Sequence, residues 1–180
     1  MSVSNWLRLP LVVFLAVVVQ VAVLDQIVVF NAHPDVLVMV PIAAALLEGP
    51  ERGAILGFVV GLAADLFVNL PYGLSPLTFV LAAFAIGLFV SIPGANPGPV
   101  GKGAIVALGA GLTTVLYALI GAIAGQKGML GRSVFDATLV VTLGALLMAP
   151  IVIAVMRYGL SGANRHNFGM SVPSGGSATT

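Results

Sequence analysis

Gly53, Gly57, Gly61 and Asp65 stand four residues apart inside an almost uncharged apolar run. On a helix that spacing keeps them near one face, drifting by about 40° per step. A stripe of small residues lets a second backbone approach closely. The same face leads to a carboxylate, which is costly to place in lipid. Few chains tolerate such a run outside a membrane, and the rest of the sequence decides what kind of membrane protein this is.

The composition agrees with that reading. The 180 residues are 59% hydrophobic and only 7% charged, with a mean hydropathy of +1.15. An ordinary soluble domain is about 25% charged. Apolar residues come in continuous runs rather than strict alternation, which predicts helices and argues against an outer-membrane barrel. The formal net charge is +1, so nothing suggests a nucleic-acid partner. With no cysteine, disulfides, thiolate chemistry and cysteine metal sites are excluded. Arg8 followed by the apolar run from Leu9 resembles a secretory signal. No small-residue cleavage site follows and further apolar segments do, so an uncleaved first span is expected.

Six helical spans fit, at about 8–30, 35–49, 53–70, 76–92, 103–125 and 134–156, each near the roughly 20 residues a bilayer requires. The second is short, about 22 Å at 1.5 Å per residue, so it tilts little, thins the bilayer or is partly re-entrant. Asn31-Ala32-His33-Pro34 closes the first span, and Asp35 falls in the first turn of the second, where a carboxylate suits the positive helix end. Polar turns are expected at Glu48–Gly53 and Asn69–Gly73, and Ser75-Pro76 reads as an N-cap followed by proline at the first helical position. Pro93–Pro99 reads as loop. Ser133 and Asp136 have capping-box spacing. The membrane domain is residues 1–158, and 159–180, rich in Ser and Gly, reads as a disordered cytoplasmic tail.

Basic residues orient the spans. With the N-terminus inside, Arg8, Arg52, Lys102, Arg157 and Arg165 are cytoplasmic and Lys127 and Arg132 are outside. That balance predicts both termini in the cytoplasm. All loops are short, so the membrane domain is the whole folded protein.

Intramembrane ionisable groups default to function, which makes Asp65 the first candidate, either as a partner-binding or relay carboxylate or as a group reaching water near the outer boundary. Asp25, His33 and Asp35 are its nearest ionisable neighbours in the span layout. The glycine stripe serves either a partner helix or packing within the chain. Gly103, Ala107 and Gly111, then Gly121 and Gly125, give the fifth span a similar pattern, so the third and fifth spans are candidates to pack together. Gln20 suits a bond to a neighbouring backbone. Glu48, Glu51 and Arg52 read as a solvated cytoplasmic corner. His33 and His166 are the only histidines, and no cluster has metal-ligand spacing. No histidine–carboxylate arrangement supports a nucleophile, and Gly98, Gly101 and Gly103 lack the lysine and strand context of a phosphate loop. Neither an enzyme nor a cofactor is expected.

Several of these stretches resemble one family, the rod shape-determining protein MreD. His33-Pro34-Asp35 before an apolar run is similar to its entry to the second helix, and Glu48–Gly53 to its polar turn. Gly57-Phe58-Val59-Val60-Gly61-Leu62-Ala63-Ala64-Asp65-Leu66 resembles its Gly-Phe…Gly-Leu…Asp-Leu signature, and Pro71–Ser75 the turn that follows. Gln20 and the Pro150…Arg157 close fit more loosely, and the motif region covers about a third of the chain. The resemblance implies a non-catalytic plasma-membrane scaffold of the bacterial elongation machinery, which builds lateral peptidoglycan and so maintains cell shape. It implies partners too: the bitopic protein MreC, the glycosyltransferase RodA with its class B penicillin-binding protein, and the actin-like MreB. Gly53, Gly57, Gly61 and Asp65 are then the expected partner-helix interface.

The competing class is the substrate-binding membrane subunit of an energy-coupling factor vitamin transporter. Its size and six-helix build resemble this chain, and it docks its energising partner through small-residue faces. A vitamin site needs polar or aromatic groups converging in a cavity. The outer loops offer mainly Asn31, His33, Asn69 and Tyr72, a thin set for that purpose. A self-assembling pore would need a polar stripe along a whole helix, which the sequence lacks.

Overall fold

The computed structural model describes residues 4–22, 35–66, 73–92, 97–125 and 131–160. They form six helices: α1 Ser4–Ala22, α2 Val36–Glu48, α3 Pro50–Asp65, α4 Leu74–Val90, α5 Pro99–Ile123 and α6 Arg132–Leu160. No strand occurs among the described residues. Asp25, Asn31, His33, Asn69, Tyr72, Lys127, Arg165 and His166 lie outside them, as does the segment from 161 onward.

The axis of the bundle is α2. At 13 residues it is about 20 Å long, and Val36 through Leu46 is buried without a break. All five other helices pack against it. Protein also closes its polar end. Asp35 is the N-cap rather than a residue of the first turn, its Oδ1 accepting from the Leu37 N–H at 2.8 Å and the Val38 N–H at 3.3 Å. A carboxylate there satisfies donors that no preceding turn can reach.

Local chemistry sets the other boundaries, several of them away from their expected places. Gly49 alone separates α2 from α3, with φ at 95°. A side chain is strained at that angle and glycine is not. Pro50 then opens α3 at once, since its missing N–H would be unpaired there anyway. The expected polar turn at 48–53 therefore shrinks to one residue. Gly73, left-handed at φ 102°, caps α4, so Ser75 and Pro76 lie inside its first turn rather than at the cap. Pro99 starts α5, taking the end of the expected loop into helix. Ser133 falls within α6 rather than at its cap, and that helix runs to Leu160, two residues into the segment read as tail.

The α3–α4 and α5–α6 pairs run antiparallel, as their contacts show. Gly53 lies on Ala45, Gly57 on Phe79, Gly61 on Pro76, Gly87 on Pro50, Gly111 on Thr142 and Gly103 on Ala149. The core is apolar and centred on Met39, Ile42, Val60, Val106 and Met156. The outside is apolar as well. Phe14 on α1, Phe58 on α3, Phe84 and Phe89 on α4, Leu108 on α5 and Leu147 on α6 all face outward. Among the described residues two helices are long and apolar enough to cross a membrane: α5, with a mean hydropathy of 2.0, and α6 from Val134 to Leu160, at 2.6.

Candidate functional site

The glycine stripe is where the sequence pointed, and the structure fills it from within. A Cβ on Gly61 would sit 2.5 Å from the Pro76 backbone, and one on Gly57 would sit 2.9 Å from the carbonyl of Phe79. Gly53 presses on Ala45 of α2. From the other side, a Cβ on Gly87 of α4 would meet the Pro50 backbone at 2.5 Å. Real Cβ atoms do not approach backbone this closely, so α3 and α4 are interlocked along their length. No second chain has room on that face. The expectation that Gly53, Gly57 and Gly61 form a partner-helix interface is therefore corrected: the ridge is an internal seam. The expected pairing of the third and fifth spans is corrected too. The small residues of α5 face α6 at Gly103 and Gly111, and they face Ile86 of α4 and Ile42 of α2 at Gly109.

Asp65 lies at the end of the stripe, where a partner contact or a path to water was expected. It is buried, and its Oδ2 accepts from the Gly73 N–H at 2.5 Å. The carboxylate of the last α3 residue thus holds the capping residue of α4. That bond satisfies one of the unpaired donors at a helix start and places negative charge at its positive end. Of the other ionisable residues expected near Asp65, Asp35 is occupied with its own helix, and Asp25 and His33 lie outside the described residues.

The same end of the bundle gathers further polar groups. Gln20 of α1 is buried, and its Oε1 accepts from the Val36 N–H at 2.9 Å, tying α1 to the start of α2. Ser75 is buried in the first turn of α4, and the half-buried Tyr117 of α5 lies near Ser75, Asp65 and Asp35. Thr78 is fully buried and donates back to the Leu74 and Ser75 carbonyls. Sequence reasoning missed Ser75 and Tyr117 in this setting. Tyr117 carried a usable signal, as the one aromatic ring of α5 and one with a polar tip.

At the opposite end, Glu48 departs from the solvated corner expected of it. Its side chain is 6% exposed and pairs with Arg52, which is 43% exposed. The buried carboxylate at the end of α2 needs that guanidinium, because an uncompensated buried charge is strongly unfavourable. Glu51 remains exposed. Among the described residues no group of three or more acidic or histidine side chains could hold a metal ion.

Chemically, the arrangement is one of mutual satisfaction. Side-chain oxygens of α1 and α3 hold backbone donors at the starts of α2 and α4, and glycines bring α3 against α4. No family model matches this chain, and no curated protein or solved structure matches it either.

Proposed function

We propose that this chain is a six-span protein of the bacterial plasma membrane and a non-catalytic scaffold of the MreD type. In this reading it holds lateral wall synthesis together by binding an MreC-like bitopic protein. RodA, its class B penicillin-binding protein and MreB lie further along the assembly. One observation carries the reading. The stretch Gly57–Leu66, which resembles the family signature, builds the α3–α4 seam, and its aspartate holds the next helix. A motif of that kind preserves a shape rather than a reaction. The outward apolar side chains on the five helices around α2 support a lipid surrounding, since soluble monomers rarely expose large apolar patches.

With the ridge filled, partner docking moves to outward side chains. Phe58 and Leu62 lie on the reverse of the same helix and are both about half exposed. The test is photo-crosslinking in cells from a probe at position 58, with the captured protein identified by mass spectrometry. Capture of MreC or another elongation protein is the expected result. Capture of an energising transporter subunit would replace this reading with the vitamin-transporter one, which the polar end around Asp65, Ser75 and Tyr117 favours. Crosslinks to lipid alone would remove α3 from the docking surface.

A further inference from the structure

Helix α1 is held differently from the rest of the bundle. Over residues 11–20 the buried side chains are Val13, Val17 and Gln20, with Val12 and Ala16 half-buried, while Leu11, Phe14 and Leu15 are each more than half exposed. Near its middle Val12 lies against Gly159 of α6, where an added Cβ would meet the Val12 side chain at 3.2 Å and no backbone, unlike the interlock at Gly57 and Gly61. The buried side of α1 is apolar until it ends in the Gln20 Oε1 to Val36 N–H bond, itself buried.

We propose that α1 is a detachable helix, latched to the bundle by Gln20 on the Val36 amide, and that it swings away as a unit while α2–α6 stay packed. The argument rests on the membrane part of the reading above. In lipid there is no hydrophobic drive between helices, because acyl chains are as apolar as valine. Val13 and Val17 therefore lose only contact energy on leaving, and lipid supplies contact in return. The hydrogen bond is not replaced in the same way, since acyl chains carry no group that can pair the freed amide. The bond is thus the element specific to the docked state. The α3–α4 seam carries a bond of the same kind, from the Gly73 N–H to Asp65, but there the helices are also interlocked backbone to backbone.

The test uses the full-length chain in lipid vesicles. It has no native cysteine, so spin labels attach only where cysteines are introduced. Leu15→Cys on α1 and Leu147→Cys on α6, both exposed, report the α1–α6 distance by pulsed electron resonance. Leu81→Cys on α4, with Leu147→Cys, serves as the control pair. Gln20→Met keeps the chain length and deletes the acceptor. It is expected to add a longer α1–α6 distance, with the undocked-to-docked ratio rising about three- to thirtyfold, the range of interhelical hydrogen bonds in membranes. The α4–α6 distance should stay single. An unchanged α1–α6 distribution in Gln20→Met overturns the latch. Broadening of both pairs together overturns it as well, because the variant would then loosen the whole bundle. Release of the chain from vesicles by an alkaline wash would overturn the membrane reading, independently of either distance.

Discussion

The α3–α4 and α5–α6 seams are both antiparallel, both apolar and both lined with glycine, yet they work differently. In the first, the glycines meet main chain: Pro76, Phe79 and Pro50. In the second, Gly111 meets the hydroxyl of Thr142, and a Cβ on Gly103 would sit 3.8 Å from that of Ala149, an ordinary contact. A side chain can turn aside and a backbone cannot. The same residue type is thus indispensable in one seam and adjustable in the other, and sequence spacing alone does not distinguish them.

The largest effect should come from the smallest addition to the rigid seam. Gly61→Ala places a methyl on the Pro76 backbone, and overpacking of this kind costs about 1–3 kcal/mol or more. A clear drop in melting temperature in detergent is expected, and an unchanged value would mean that the helices slide apart freely. Next come the Asp65 variants. Asp65→Leu strands the Gly73 N–H and should cost about 1–3 kcal/mol. Asp65→Asn keeps an acceptor and should be milder in the same melts. Equal losses would show that the charge, rather than the hydrogen bond, holds α4.

The adjustable seam should respond less. Gly111→Ala forces the Thr142 hydroxyl to rotate off its bond to the Thr138 carbonyl, at a cost of about 1 kcal/mol. Pairing it with Thr142→Ala should restore most of that loss. If the pair is no better than the single variant, the obstruction lies in the backbone and the two seams are alike after all. Smallest of all, deleting residues 162–180 should leave insertion into membranes intact, as judged by resistance to alkaline extraction.

Much of the helical layout was legible because proline, glycine and capping residues act locally. Gly49-Pro50 had to break the chain, and Asp35 had to sit at a helix start. From α2 to α6 the helix ends still differ from the expected ones by one to five residues, in part where two local signals competed. Ser75-Pro76 looks like a cap, but Gly73 can adopt the left-handed angle and caps first. The candidate site was legible as a set of residues but not as a set of relations. Gly57 and Gly61 announce close approach without saying to what, and Asp65 announces a costly group without naming its partner. Glu48 read as solvated because nothing in its neighbourhood along the chain reveals that the bundle covers it.

The amino-acid sequence by itself determined that the described residues are helical, with an apolar exterior and a smooth face on α3. Those properties follow from composition, period and residue chemistry, which need no neighbours. Only the tertiary structure decided that α2 is the axis, that the glycine face belongs to α4, and that Gln20 and Asp65 hold backbone amides of other helices. The reason is physical: a close approach or a hydrogen bond has two sides, and its second side here lies 8 residues on for Asp65 and 16 for Gln20.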